Sequence, residues 1–178
     1  MNQKKIKLMQ EGGQLLASIK TQLGSMVKPG VTPLDIEHHA NKLISQTGGQ
    51  PSFKLVPNYH HATCVNVNDS LVHGIPTKQP FKNGDLVSID LGLYYKGYHT
   101  DTSITVVAGS SSPKLQTFIN VGYKALDAAI KAAIPGNRVS DISRAVQTTI
   151  EAAGYSVIRD LTGHGIGTKL HEDPYIPN

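Results

Sequence analysis

Apolar residues return every three or four positions at Leu15, Leu16, Ile19, Leu23 and Met26, with polar residues between them. That spacing predicts a helix from near residue 3 to residue 27. Lys28-Pro29-Gly30 stops it. A second helix starts at Thr32, an N-cap residue followed by Pro33 at the first helical position and Asp35 as partner in a capping box. It ends at Gly48-Gly49, and Ile36, Ala40, Leu43 and Ile44 form its buried stripe. The period then shortens to two. Strands are predicted over 62–66 and 71–74 around a turn at Asn68-Asp69, followed by a hairpin between Val87 and Val106. Helical spacing returns over 115–133 and 140–153.

The hairpin carries the most chemistry. A two-residue turn at Lys96-Gly97 pairs Tyr95 with Tyr98, and extending the ladder pairs Leu93 with Thr100, Gly92 with Asp101 and Asp90 with Ser103. The other face checks this register, because Val87 then meets Val106 and Ile89 meets Ile104. Alternation places Asp90 and Asp101 on one face, as diagonal neighbours roughly 7 Å apart at the backbone. Two like charges so placed on a half-buried sheet repel, and a divalent cation between them is the expected remedy, with the side-chain-free Gly92 alongside. Asp and Gly are also ordinary residues at hairpin ends, so the pair alone reads equally well as turn chemistry.

The order helix, helix, strands, helix, helix invites a search for an internal repeat. A shift of 106 lays Pro29 on Pro135, Gly30 on Gly136, Asp35 on Asp141, Ile36 on Ile142, Ile44 on Ile150 and Gly48 on Gly154. The 178 residues thus read as a single domain, with a first copy over about 1–107 and an incomplete second copy over about 108–178. Counterparts of Asp90 and Asp101 would fall near 196 and 207, past Asn178, so a C-terminally truncated or partial chain is expected.

Composition narrows the setting. With 39% hydrophobic and 17% charged residues, the chain can bury a core. No apolar run approaches the roughly 18 residues of a membrane span, and Met1-Asn2-Gln3-Lys4-Lys5 lacks the apolar segment of an export signal. The single Cys64 excludes an internal disulfide and fits a reducing compartment, so a cytoplasmic protein is expected. A net charge of +4 is spread over scattered lysines without interleaved aromatics, which argues against specific nucleic-acid binding.

Histidines add the next layer. His164 stands in Thr162-Gly163-His164-Gly165-Ile166-Gly167, where the glycines let the backbone pass close to a ligand and leave the imidazole as the functional group. One imidazole with two carboxylates suits Mn, Fe, Co or Zn better than Ca or Mg. His73, in Val72-His73-Gly74-Ile75-Pro76, and His171 are further candidates. His38 and His39 read as a solvated helix face, whereas His60 and His61 border a strand and line a pocket mouth.

Five segments, Val72-His73-Gly74-Ile75-Pro76, Ser88-Ile89-Asp90-Leu91-Gly92, His99-Thr100-Asp101-Thr102, Gly163-His164-Gly165-Ile166-Gly167 and His171-Glu172-Asp173-Pro174, stand in an order and spacing that closely resemble the type I methionine aminopeptidases. The resemblance covers nearly the whole chain and implies an α+β pita-bread fold, two pseudo-symmetric halves of helices around antiparallel sheet. It implies two divalent metal ions that activate water for attack on the first peptide bond of a protein. Asp101 would bridge both metals, Asp90 would ligate one and His164 the other, while His171 would hydrogen-bond the scissile carbonyl and His73 the leaving-side amide nitrogen. Phe53 and Tyr59 would line the pocket for the substrate side chain. The partners implied are nascent polypeptide N-termini and the ribosome that presents them, met by a cytoplasmic monomer with no membrane or specific nucleic-acid contact.

Departures from the family pattern are equally specific. The family completes its metal site with two glutamates on later strands, whose counterparts fall beyond Asn178, so the 178-residue chain by itself is expected to be poorly soluble or inactive. In place of a glycine- and aromatic-rich loop stands Lys54-Leu55-Val56-Pro57-Asn58-Tyr59-His60-His61, which leaves the preference for methionine less firmly indicated than aminopeptidase chemistry. Two other readings stay open on sequence alone: a proline-directed peptidase of the same fold, and a catalytically inactive binding module built on it.

Overall fold

The computed structural model describes residues 3–178; Met1 and Asn2, the first two residues of the segment read for an export signal, lie outside the described residues. The chain divides into two compact units, the residues up to Ser112 with Ile166–Leu170, and Pro113–Gly165 with His171–Asn178. Among the described residues no helix is long and apolar enough to cross a membrane.

In the first unit, α1 (Gln3–Met26) and α2 (Pro33–Gln46) precede β1 (Gln50–Pro51), a 3-10 turn at Ser52–Leu55, β2 (Thr63–Val67), β3 (Leu86–Tyr95) and β4 (Tyr98–Val107). The α2 start forms as its residues dictate: Thr32 N–H donates to Asp35 Oδ2 at 2.8 Å and Asp35 N–H donates to Thr32 Oγ1 at 3.1 Å. β3 is the central strand, with β4 along one edge and β2 and the short β1 along the other, all antiparallel. The β3–β4 register is the expected one at every named pair, from Val87 opposite Val106 to Tyr95 opposite Tyr98. At the turn, Lys96 and Gly97 have φ of 48° and 92°, the left-handed geometry of a two-residue hairpin loop whose twist matches its strands.

One face of this sheet is apolar. Val65, Val87, Ile89, Leu91 and Leu93 are buried in one cluster with Leu16, Ile19 and Leu23 of α1 and Ile36, Ala40 and Ile44 of α2. Each of the valine, leucine and isoleucine side chains contributes about 1.5–3 kcal/mol by leaving water. Leu15, Met26 and Leu43, also read as core, are partly buried at its margin. The opposite face carries Cys64, Asp90, Gly92, Tyr94, His99 and Asp101, as alternation along three registered strands requires.

Glu37 of α2 joins helix to sheet. Its buried carboxylate accepts from Ala62 N–H at 2.8 Å, Thr63 N–H at 3.0 Å, the Thr63 hydroxyl at 2.7 Å and Asn41 Nδ2 at 2.7 Å. These donors begin β2, so a charged residue inside an apolar helix face sets where that strand starts. Its place three residues before Ala40 and seven before Ile44 puts Glu37 on the buried stripe, but the sequence does not say which donors it meets there.

The strand expected over 71–74 does not form. Leu71 and Val72 are exposed, and His73 adopts φ 56°, which no ladder accommodates. Gly74 instead crosses β2 closely, donating to Asn66 Oδ1 at 2.9 Å and accepting from Val65 N–H at 2.9 Å. A Cβ there would collide with the Val65 carbonyl, so the glycine is needed for the crossing.

In the second unit, α3 (Pro113–Ala132) packs on α4 (Val139–Ala152), and β5 (Thr162–Gly165) pairs with β6 (Glu172–Pro177). Both strands escaped the sequence reading because glycines in one and prolines in the other suppress the strand pattern. The local structure carries the 106-residue shift. The bounds of α4 are those of α2 displaced by 106, and Arg138 N–H donates to Asp141 Oδ2 at 2.8 Å as Thr32 does to Asp35. Gly30 and Gly136 share left-handed φ of 91° and 96°, and Gly48 and Gly154 share 76° and 80°.

Replacing Glu37 by Ala leaves the Ala62 and Thr63 amides buried without an acceptor. We expect a loss of roughly 3 kcal/mol in unfolding free energy, against about half that for Glu37→Gln, which keeps one acceptor oxygen; chemical denaturation of the three proteins measures it.

Candidate metal centre

Asp90 and Asp101 stand on the polar face of β3 and β4, in the diagonal relation fixed by the Gly92–Asp101 and Asp90–Ser103 pairs. Burial, and then the neighbouring Asp101 carboxylate, push the Asp90 carboxyl up to about 7, and a side-chain hydrogen bond between the two acids adds to the shift. The surroundings register the same excess of negative charge. Burial and then the Asp90 and Asp101 charges hold the Cys64 thiol up at about 11, although its bond to Tyr59 pulls the other way. The Tyr59 hydroxyl is likewise raised, first by burial and then by Cys64, with Asp90 adding to it. Two carboxylates that share a hydrogen bond in a half-buried, negative setting fit a divalent cation, which would take the proton's place and offset the repulsion.

Gly92 serves a purpose other than leaving room for a metal. A Cβ at Gly92 would lie 2.7 Å from Ser52 Cβ and 3.1 Å from Phe53 Cε1, so the missing side chain lets the Ser52–Leu55 turn rest on the carboxylate face. Phe53 meets Tyr59 edge-on at 6.4 Å between ring centroids, and both belong to a small apolar cluster with Cys64, Leu170, Val56 and Ile166. Tyr59 donates to the Thr63 carbonyl at 2.8 Å and lies 3.1 Å from Cys64 Sγ. Cys64 stands directly opposite Asp90 in the β2–β3 register, so the cluster borders the aspartate pair. At the cluster's outer side, His61 stacks edge-on with Tyr59 at 5.7 Å and its Nδ1 lies 4.0 Å from Glu37, while His60 is exposed.

Sequence reasoning used Cys64 only as a redox marker and passed over Ser52, His99 and Leu170. Carrying the hairpin register one strand further would have found Cys64. The hairpin register also places His99 on the aspartate face, whereas Ser52 and Leu170 come to it through contacts distant in sequence, for which the chain holds no local signal. His73 is exposed on the loop after β2, its left-handed backbone followed by the anchored Gly74.

In the second unit His164 lies on β5 opposite Tyr175, and its ring meets that of His171 edge-on at 4.4 Å. His164 Nδ1 lies 2.9 Å from the Gly165 carbonyl, which can only accept, so Nδ1 donates there and a neutral ring would hold its lone pair on Nε2. This is the tautomer of a metal ligand oriented by its second nitrogen. Gly165 answers to a different need from the one its sequence suggests: a Cβ there would strike the Asp173 carbonyl on β6, so the close neighbour is the partner strand. Among the described residues no group of three or more His, Cys, Asp or Glu side chains is arranged to hold a metal ion.

Against known proteins, the sequence model of metallopeptidase family M24 matches residues 7–178. A methionine aminopeptidase of Mycoplasma capricolum is 43% identical over 178 residues, covering 99% of this chain and 71% of that protein. The crystal structure of a methionine aminopeptidase from Thermotoga maritima superposes with a TM-score of 0.97 at 37% identity, covering 100% of this chain and 72% of that one. A prolidase from Pyrococcus horikoshii superposes with a TM-score of 0.84 over 99% of this chain and 50% of its own, at 23% identity, a likeness of fold alone.

Because its folded pKa is raised, Asp90 favours folding while protonated: this stabilisation is complete below the unfolded value of 3.8 and is lost as pH rises through about 7. The metal-free protein should therefore melt at a lower temperature at pH 8 than at pH 5. Asp90→Asn should shrink that difference, and added Mn²⁺ should raise the melting temperature more at pH 8; scanning calorimetry at both pH values reads all three.

Proposed function

The chain belongs to metallopeptidase family M24 and has its α+β pita-bread fold, and from that premise we propose that it is a methionine aminopeptidase, hydrolysing the bond after an N-terminal methionine. The aspartate pair is the observation that carries the reading, since two half-buried acids sharing a hydrogen bond on one sheet face have no structural use that a Ser or Asn would not serve more cheaply. The ligand set we assign is Asp90, Asp101 and His164, the aspartates on their geometry and His164 on its tautomer and family motif. Two divalent ions, from among Mn, Fe, Co and Zn, suit that mixture of oxygen and nitrogen donors. The chemistry such ions supply is an acidified water and positive charge beside the scissile carbonyl.

The chain's own side chains do the rest. Asp101 and Asp90 would both hold the ions through their carboxylates, Asp101 as the donor shared between them. His171 donates a hydrogen bond to the scissile carbonyl oxygen as negative charge develops there, and His73 contacts the amide nitrogen on the leaving side. Phe53 and Tyr59, packed with Cys64 and Leu170, receive the methionine side chain; sulfur beside aromatic rings is a favourable contact. The 106-residue shift supports reading 1–107 and 108–178 as two copies of one unit within the catalytic domain. The substrates we assign are the N-termini of nascent polypeptides, met in the cytoplasm at the ribosome by a monomer. No observation favours the proline-directed reading, and the presence of both aspartates and His164 argues against a metal-free binding module.

Two outcomes are expected. With Mn²⁺ or Co²⁺, the protein should hydrolyse Met-Ala-Ser in preference to Leu-Ala-Ser and leave Ala-Pro intact; turnover of the proline substrate alone would overturn the assignment. Asp101→Asn should abolish both activity and most metal binding, whereas His171→Ala should lower kcat by on the order of 10² to 10³ with metal retained. Calorimetric metal titration separates the two variants.

A further inference from the structure

His99 is almost fully buried, two residues before Asp101 and on the same sheet face, yet the chemistry above gives it nothing to do. It makes contacts in three directions. Its ring packs at 4.7 Å against Tyr94, its direct partner across the hairpin. Its Nδ1 hydrogen-bonds the hydroxyl of the fully buried Ser52 at 2.9 Å, which leads into the turn that carries Phe53. Its backbone N–H donates to the Gly167 carbonyl at 2.7 Å, in the segment Ile166–Leu170 that contributes Ile166 and Leu170 to the same apolar cluster. Phe53 and Leu170, two buried walls of that cluster, are therefore both tied to β4 through one residue.

The hydroxyl holds the N-terminal end of the turn, while farther along Lys54 Nζ donates to Asn41 Oδ1 at 2.6 Å. The Ser52–Leu55 turn is a single loop of 3-10 helix without a side-chain cap, and it meets β3 where Gly92 offers no side chain to hold it. Glycine permits the close approach but supplies no attraction. The His99–Ser52 bond supplies it, in a dry setting where such a bond is strong and its absence costly. A shift of the turn moves Phe53 against Cys64 and Leu170, its neighbours in the buried cluster.

We propose that His99 and Ser52 form a clasp that positions Phe53 and so sets which N-terminal side chain is accepted. This rests on the aminopeptidase reading and adds a specificity-determining pair to it. His99 touches no substrate in this account; it acts through Ser52 and the turn.

Three variants test it. Ser52→Ala removes only the hydroxyl, His99→Phe keeps the ring and its packing on Tyr94 but loses the bond, and His99→Asn restores a polar atom near the position of Nδ1. In the first two, amide hydrogen exchange over 53–56 should quicken, while exchange at 166–170, held by the backbone of residue 99, should not. In the same two, KM for Met-Ala-Ser should rise, kcat change little, and the preference for Met-Ala-Ser over Leu-Ala-Ser fall by about tenfold. His99→Asn should recover most of both effects. Unchanged exchange at 53–56 would overturn the clasp. Faster exchange with an intact methionine preference would overturn its role in specificity. A wild-type protein that hydrolyses neither peptide would instead overturn the aminopeptidase reading, and the exchange measurement would still report on the clasp.

Discussion

The two left-handed residues at Lys96 and Gly97 constrain everything built on β3 and β4. A two-residue loop of that hand leaves one register, and because side chains alternate, a slip of one position on either strand would exchange its two faces. Ile89, Leu91 and Leu93 would then leave the helices, and Asp90 would enter the apolar core with no cation able to reach it. The buried cluster with α1 and α2 and the placement of the acid pair are two consequences of one turn. The apolar face supplies the free energy, and the hairpin's register spends part of it on holding like charges together on the other side.

Sequence carried those parts of the fold whose determinants are local. The Thr32–Asp35 box, the Lys96-Gly97 turn and the Val87–Val106 alternation each lie within a few residues of what they determine, and each formed as read. The segment 71–74 misled because its apolar Leu-Val start imitates a strand, whereas the tie from Gly74 to Asn66 pulls the chain across β2. The partners of Glu37, Ser52 and His99 were invisible for a related reason. Each acts on a segment at least 25 positions away, and neither helical nor strand periodicity says which segment that will be. The aspartate pair was legible through the hairpin register, and of the residues packed beside it Phe53 and Tyr59 were read from sequence while Leu170 was not.

Two glycines show how an identical residue type answers to different neighbours. Gly92 admits a turn of the first unit against its own sheet, and Gly165 admits one strand of the second unit against the other. Both stand next to metal-site candidates, and proximity alone would assign them to the ligand. The close approach of neighbouring atoms at each assigns them to packing. Freedom from a side chain near a reactive group is therefore evidence about the scaffold first, and the electrostatics of Asp90 and the tautomer of His164 are the better guides to chemistry.

The Glu37 carboxylate also acts on structures the protein does not adopt. A buried anion tolerates only arrangements that bring it several donors, and the start of β2 offers two consecutive amides and a hydroxyl to this one. Were position 37 apolar, α2 could slide along the sheet by a helical turn and still bury Ile36, Ala40 and Ile44 tolerably well. With glutamate there, each such displaced packing strands a charge away from water. The residue thus discriminates among compact states during folding, widening the gap between the native arrangement and its nearest competitors by penalising the competitors.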